Sequence, residues 1–568
     1  MLATAPAPTD PRRLDEAVAR VREGAPRWAR ASPTERVAIA RSMLAGLDRV
    51  APRLVHAGCI AKGLPLDAPA SGDEWITGAY IALRGLRQLV ASLTALARTG
   101  NTPVGQLGET ADGRVTERVF PANLLDAMLF LRVAAEVHYA AGVSALDVRD
   151  RRARFHKAPD HSGCVCLVLG AGNVNSIVTL DIATKLFNEG KTCVVKMNPV
   201  NAYVGPFLEE AFAEAIARGV LAIVYGGRDE GTYLAQHPGV DTIHLTGSNA
   251  THDAIAWGPP GPERAARMAR NEPLLAKEIT SELGDISPVL VVPGPWDERA
   301  LAFQAESIAG MVTQNGSFNC LAARIMILPR GWRHRERFLD LVERFLRATP
   351  PRRGWYPGAA DRLAAIAAGR PAVRAVSGAE GTLPWTLVTG LDPESDDPAF
   401  TTEAFCPALA ETSIGSEDPI EFLEAAVTFA NERLWGTLAA QVLAPARIVA
   451  DAATGAALRR AVRRLEYGTV GVNCFGGGYG FGFCTTPWGG FPGQPLHDVQ
   501  SGRGFVHNTL MLEGVEKSVV WAPEVQLLKP VYFPTHRTVH RLGPGLVALE
   551  GRRDWRAFPG VLSGGLRG

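Results

Sequence analysis

Residues 163–199 read GCVCLVLGAGNVNSIVTLDIATKLFNEGKTCVVKMNP. The run CVCLVLG (164–170) is continuously apolar, too short for a buried helix, and closed by glycine, which predicts a strand buried on both faces. SIVTLDIATKLFNEG (176–190) is long enough for a helix and ends at Gly190. KTCVVKMNP (191–199) is a second strand, stopped by Pro199. The alternation continues through a helix in YVGPFLEEAFAEAIARG (203–219) and strands in VLAIVYGG (220–227) and DTIHLTG (241–247). Apolar strands separated by amphipathic helices predict a doubly wound parallel sheet, which binds ligands at the carboxyl ends of its strands.

Upstream, the first hundred residues read as helices. Ser32-Pro33-Thr34-Glu35 combines a capping residue, a proline at the first helical position and an acid in the first turn. Residues 101–118 are polar and glycine-rich and read as a loop. Near Ile286 a second α/β unit begins with SPVLVVPG (287–294), RALAFQAESIAGMVTQ (299–314) and RIMILP (324–329), and its signals run to about Val472. The stretch NCFGGGYGFGFCTTPWGGFPG (473–493) reads as an aromatic loop. Beyond about 511 no element can be placed.

Composition narrows the function. Of 568 residues, 46% are hydrophobic and 21% charged, which excludes a disordered chain. Lys plus Arg number 59 against 58 Asp plus Glu, so there is no general field for a nucleic-acid backbone. The basic clusters at 149–152 and 459–464 read as solvated faces. No run of eighteen apolar residues predicts a membrane span, and the N-terminus lacks the pattern of a secretory signal. The eight cysteines are scattered and form no CxxC pair, which argues against a disulfide framework or structural zinc and for a reducing, cytoplasmic setting.

Three residues carry candidate chemistry. Asn173 sits where the first strand's carboxyl edge opens and could donate to an oxyanion, or simply cap the turn. Cys320, in the polar segment NGSFNCLAAR (315–324), is a candidate nucleophile. Glu282, in SELGDISP (281–288), is a candidate general base, with Glu278 its rival. The glycines at 170 and 172 form only a partial dinucleotide fingerprint, because Asn175 stands at the third position.

Taken in order, Asn173, Lys196, LTGS (245–248), SELGDISP, NGSFNCLAAR, TEAFCP (402–407), LWGTLAA (434–440) and PWGGFPG (487–493) resemble the aldehyde dehydrogenase superfamily over about residues 20–510. PRWARASPTERVAIARSM (26–43) is similar to the family's opening helices. The resemblance implies Cys320 as nucleophile, Glu282 as base and Asn173 as oxyanion donor, with no metal. It implies NAD or NADP held at Lys196, Asn198, Gly247, Ser248, Glu403 and Phe405. It also implies oxidation of an aldehyde to a carboxylic acid through a Cys320 thioester hydrolysed by water. A homodimer or homotetramer would use an arm at 140–162 and a segment near 500–530. The implied division is a helical N-terminal part (1–139), the arm, a cofactor domain (163–285), a catalytic domain (286–480) and a C-terminal oligomerisation segment and tail (481–568).

Departures keep alternatives open. His252 replaces a second glycine of the cofactor turn, Asp285-Ile286 follow the base, and Ser317-Phe318 precede the nucleophile. Pro199 stands where many relatives carry a glutamate that repels a 2′-phosphate, so NADP is not disfavoured. LGAGNVNS (169–176) is similar to the acyl-CoA reductase branch, which would release the thioester to coenzyme A. A catalytically silent binding protein is the other alternative. Cys406 is the rival thiol, and Phe475, Tyr479, Phe481 and Phe483 either line an apolar mouth or pack their own loop.

Overall fold

The computed structural model describes residues 6–158, 161–370, 373–376 and 378–568. Within residues 163–199 it places strands Val165–Leu169 and Thr192–Lys196, neighbours in the interior of a six-stranded sheet. Across that sheet the order is Gly502–Arg503, Glu278–Glu282, Thr242–Thr246, Val165–Leu169, Thr192–Lys196, Leu221–Val224. All neighbours are parallel except the short edge strand. The chain winds outward one way from Val165–Leu169 and then returns to its other side at Thr242–Thr246. That reversal leaves a crevice at the carboxyl ends of these two strands.

The alternation of side chains in Val165–Leu169 explains the two layers. Val165, Leu167 and Leu169 join a core with Leu14, Val18 and Val21 of the helix Pro11–Ala29. Cys166 and Val168 join the opposite core with the helices Pro33–Lys62 and Ile81–Thr99. Ser32 caps the former of these helices in a reciprocal box with Glu35, as its sequence predicts.

The second sheet has eleven strands, and its parallel centre includes Val289–Val291, Ile325–Pro329 and Ala408–Ile414. The helix Glu298–Thr313 crosses its face and delivers the chain to Cys320. Thus the α/β fold class holds for both units.

Three expectations need correction. Residues 101–118, read as a loop, contain Gln106–Glu109 and the start of Val115–Phe120, an antiparallel pair with Gln106 opposite Arg118. These strands, with Ala134–Tyr139, extend the eleven-stranded sheet through Val515–Trp521. Half-exposed hairpin strands carry polar residues that look like loop, which hid them in the sequence. The strand-bearing arm expected at 140–162 instead holds two short helices, Ala145–Asp150 and Arg154–Lys157, among its described residues.

The aromatic stretch is likewise not all loop, since Gly476–Phe483 is an α-helix following the strand Thr469–Val472. Glycine is a poor helix former, but here tertiary contact decides. A Cβ on Gly471 would lie 2.4 Å from the Cα of Gly476, so only glycines let this helix lie against the strand. The segment beyond 511 supplies Val515–Trp521 and the helices Val539–Arg552 and Phe558–Leu566.

Candidate active site

Cys320 stands where two cavities meet. The larger, of about 380 Å³, is lined from the six-stranded sheet by Asn173, Asn198, Gly247, Ser248 and Glu282, and from the other unit by Glu403 and Phe405. The smaller, of about 100 Å³, lies on the other side of the thiol and is mainly apolar. Phe475, Tyr479, Phe481 and Phe483 all line it. The four aromatics therefore do both things their sequence allowed, lining the cavity and packing into the cores around it.

Glu282 ends its strand opposite Thr246, inside the crevice. It is fully buried, and neither carboxylate oxygen has a hydrogen-bond partner among the described residues. Burial pushes it up to about 8, aided by the negative charge of Asp181. The Cys320 thiol and the Trp488 indole approach it and partly offset that rise, without bonds of good geometry. A carboxyl group with such a value accepts protons near neutral pH. Its rival Glu278 is exposed at the other end of the same strand.

The Cys320 thiol is pushed far up, first by burial and then by the charges of Glu282 and Glu403. It is therefore a thiol at rest. Cys406 is more deeply enclosed and is pushed up to about 11, and it lines neither cavity. All eight cysteines are free.

Asn173 reaches the cavity from the turn after Val165–Leu169, and one N–H of its amide donates to the Phe318 carbonyl at 3.1 Å. The amide carries two donors, so one remains for a ligand. The loop before Cys320 is left-handed at Asn315, Gly316 and Ser317 (φ 55, 68 and 74°). Strain of this kind persists only where surroundings over-determine it. Here Arg324 donates to Ser317 Oγ and O at 2.7 Å each and to the Asn319 carbonyl at 3.1 Å. Asn315 donates to the Asn173 and Phe318 carbonyls at 3.0 Å each. So Ser317 and Phe318 are held firmly, although they depart from the resembled pattern.

Sequence reasoning missed what lies beneath. The buried Lys62 ammonium bonds Glu74 at 2.6 Å, Asn315 Oδ1 at 2.9 Å and the Asn173 carbonyl at 3.1 Å. Glu74 in turn accepts from Asn175 at 2.8 Å. Lys62 is the last residue of a long helix, and nothing local marks it as different from a solvated lysine. Arg324 and Trp488 were missed for the same reason.

The residues expected at the cofactor behave unequally. Gly247 and Ser248 lead into the helix Asn249–Trp257, whose amide of Thr251 is capped by the Ser248 hydroxyl at 3.2 Å. Its start faces the large cavity, a placement that suits a phosphate. Glu403 is half-buried, with its buried Oε1 unpartnered among the described residues and its value pushed up to about 8 by burial. A Cβ on Gly284 would lie 1.9 Å from Glu403 Oε2, so this glycine makes room for the carboxylate. Likewise Gly172 makes room for Asn198, whose Oδ1 would be 2.5 Å from a Cβ there. That close approach explains the partial glycine fingerprint. Lys196 does not line the cavity: its ammonium donates to the carbonyls of Gly226 and Gly227 at 3.1 and 3.2 Å. His252 is buried beside Asp253 and is also absent from the lining. A dinucleotide fits these residues, with a helix start for phosphate and an unpaired carboxylate for hydroxyls.

No helix among the described residues is long and apolar enough to cross a membrane, and none of their side chains cluster as a metal site.

Comparison with known proteins gives a consistent family. Residues 127–350 match the model of the aldehyde dehydrogenase family. Aminoacetaldehyde dehydrogenase of Pseudomonas aeruginosa is 28% identical over 325 residues, 53% of this chain and 57% of that protein. 4-Trimethylaminobutyraldehyde dehydrogenase A of Danio rerio is 27% identical over 164 residues, 29% of each chain. The chain thus matches less than two thirds of these relatives' lengths. The fold extends further. An aldehyde dehydrogenase structure from Pseudomonas aeruginosa superposes with a TM-score of 0.60 over 90% of both chains, at 20% identity. An NADP-dependent glyceraldehyde-3-phosphate dehydrogenase from Bacillus halodurans, complexed with NADP, gives 0.59 over 90% of this chain and 91% of that one, at 17% identity. The matched region contains the Cys320 segment, and the chain shares its fold with aldehyde dehydrogenase structures over nine-tenths of its length.

Proposed function

We propose that this chain oxidises a neutral, apolar aldehyde to its carboxylic acid with transfer of hydride to NAD or NADP. The observation that carries this reading is the position of Cys320, which borders both the polar and the apolar cavity; Ile177, the other residue shared by the two linings, is chemically inert. A nucleophile so placed can hold a substrate carbon from one side while the cofactor approaches from the other.

In this reading Glu282 takes the Cys320 proton as the sulfur adds to the aldehyde carbon. The free N–H of Asn173 and the Cys320 backbone N–H receive the oxyanion of the thiohemiacetal. Glu403, Phe405, Gly247, Ser248 and Asn198 hold the dinucleotide, whose nicotinamide supplies a hydride acceptor. Cys320 then carries a thioester. Glu282 passes that first proton to solvent and then removes one from water as the water oxygen attacks the thioester carbon; the carbon–sulfur bond breaks, the leaving sulfur takes the proton back from Glu282, and the carboxylic acid is released.

The apolar cavity supports a neutral substrate because its charged lining is already neutralised. Arg84 pairs with Asp126 at 2.7 Å and Glu550 at 2.9 Å. Asp73 accepts from Arg352 at 2.5 Å and from the Asn315 amide at 2.9 Å. Water release of the thioester is favoured over coenzyme A by the unpartnered, proton-accepting Glu282 beside the sulfur. The test is reduction of NAD or NADP with a panel of aldehydes, with and without coenzyme A. Acid as product supports the reading; acyl-CoA, or no reduced cofactor with any aldehyde, overturns it.

A further inference from the structure

Past Trp521 the chain folds back over the apolar side of the thiol. Val531 and Tyr532 line the small cavity, opposite residues of the first hundred such as Ile76 and Thr77. The segment that carries them is fastened at both ends. Before it, the Glu524 carbonyl accepts from Gln304 at 2.7 Å. After it, the helix Val539–Arg552 brings Glu550 into the buried pair with Arg84 and Arg552 to Asp48 at 3.0 Å. Gly543 lies so close to Trp75 that a Cβ would be 2.2 Å from the Cβ of the tryptophan.

Tyr532 is itself clamped. Its hydroxyl lies 2.9 Å from Ser307 Oγ and accepts the Phe475 amide at 3.3 Å. Its ring packs edge-on to Phe475 at 5.2 Å and Tyr479 at 6.0 Å. Its backbone oxygen would be 2.5 Å from a Cβ on Gly310, so it rests directly on the helix that delivers Cys320. A ring tied at its tip and along its edge cannot swing aside for a larger ligand without breaking both bonds. The resulting space is about 100 Å³. Cavities of ~150 Å³ hold benzene, so this one suits a short chain.

We propose that Tyr532, presented by the C-terminal segment, is a specificity-determining residue that sets the upper size of the aldehyde this enzyme accepts. The inference rests on the proposed aldehyde chemistry, but its test separates the two. Initial rates would be measured from propanal through decanal for wild type, Tyr532→Ala, Tyr532→Leu and Tyr532→Phe. Removing the ring should raise the ratio of kcat/KM for decanal over propanal by at least about tenfold, since each methylene admitted to a pocket is worth roughly that factor. Tyr532→Phe keeps the ring and loses the clamp, and should give a smaller rise. In parallel, binding of acetamide, hexanamide and decanamide would be followed by calorimetry, which needs no turnover. The same shift toward long chains in both assays supports the proposal. Unchanged ratios in variants that retain wild-type cofactor binding and melting overturn it, whatever happens to the overall rate. Should wild type oxidise no aldehyde, the chemistry is wrong and the amide series alone decides the role of Tyr532. If Tyr532→Ala does not fold, the leucine variant carries the same test.

Discussion

The two cavities that meet at Cys320 are built on opposite rules. On the wide side, buried polar atoms are left without partners: both oxygens of Glu282 and one of Glu403. On the narrow side, the charges are closed among themselves, Arg84 with Asp126 and Glu550, and Asp73 with Arg352. An unpaired buried carboxylate costs stability, and it is tolerated where a ligand or a reaction needs it. A neutralised wall is what an apolar substrate requires. In the proposed function, the contrast separates the region assigned the chemistry from the region assigned the selection of substrate.

The comparison breaks most directly at the sulfur. Cys320→Ala should lower turnover by at least about a thousandfold, because no other thiol borders the cavities. Cofactor binding, read by fluorescence, should persist. Substantial turnover in this variant would remove the basis for the whole site.

Glu282→Gln should slow thioester hydrolysis by about a hundredfold or more, the usual scale of a general base. A burst of reduced cofactor equal to the active sites should then stall. In wild type the hydrolytic step should rise as pH passes about 8, where Glu282 ionises, and the rise should vanish in the variant. The sign for stability is opposite. The folded-state value lies above the ordinary carboxylate value, so the native state binds more protons in that interval and loses stability as pH rises from about 4.5 to about 8. The difference in melting temperature, Glu282→Gln minus wild type, should therefore be more positive at pH 9 than at pH 5. A constant difference would contradict this.

On the narrow side, Arg84→Met leaves Asp126 buried without its cation and Glu550 with only Arg87, at 3.5 Å. Breaking a buried pair in this way costs about 3–5 kcal/mol, which denaturant unfolding would detect. A change below about 1 kcal/mol would show that the triad does not hold the C-terminal helix in place. The smallest effect is expected far from both cavities: Ser32→Ala removes a helix cap and should cost about 1 kcal/mol with no change in kcat/KM.

The candidate site residues were legible in the chain because local pattern singled them out and the resemblance gave them roles. Asn173, Glu282 and Cys320 each sit at an element's end, marked by glycines and polar residues beside apolar runs, and the fold brings them to one crevice. Lys196 shows the limit of that reading. Its place at the end of a strand is as expected, but its ammonium turns to the carbonyls of Gly226 and Gly227. The direction of a side chain depends on which loop lies beside it, and that loop is some thirty residues away in sequence. The hairpin strands at 106–120 and the helix Gly476–Phe483 were hidden for a related reason, since their stability comes from partners and not from propensity.

By itself, then, the sequence determined the parallel α/β layers, through apolar runs that can be buried only from both faces, and offered Asn173, Glu282 and Cys320 as candidates. Only the tertiary structure decided that Lys62 supports Asn173 and Asn315 from below, that Arg324 locks the left-handed loop before Cys320, and that Tyr532 walls the narrow cavity. Most of these contacts join residues far apart in the chain. Their energies depend on burial and distance, quantities that exist only once the chain has folded.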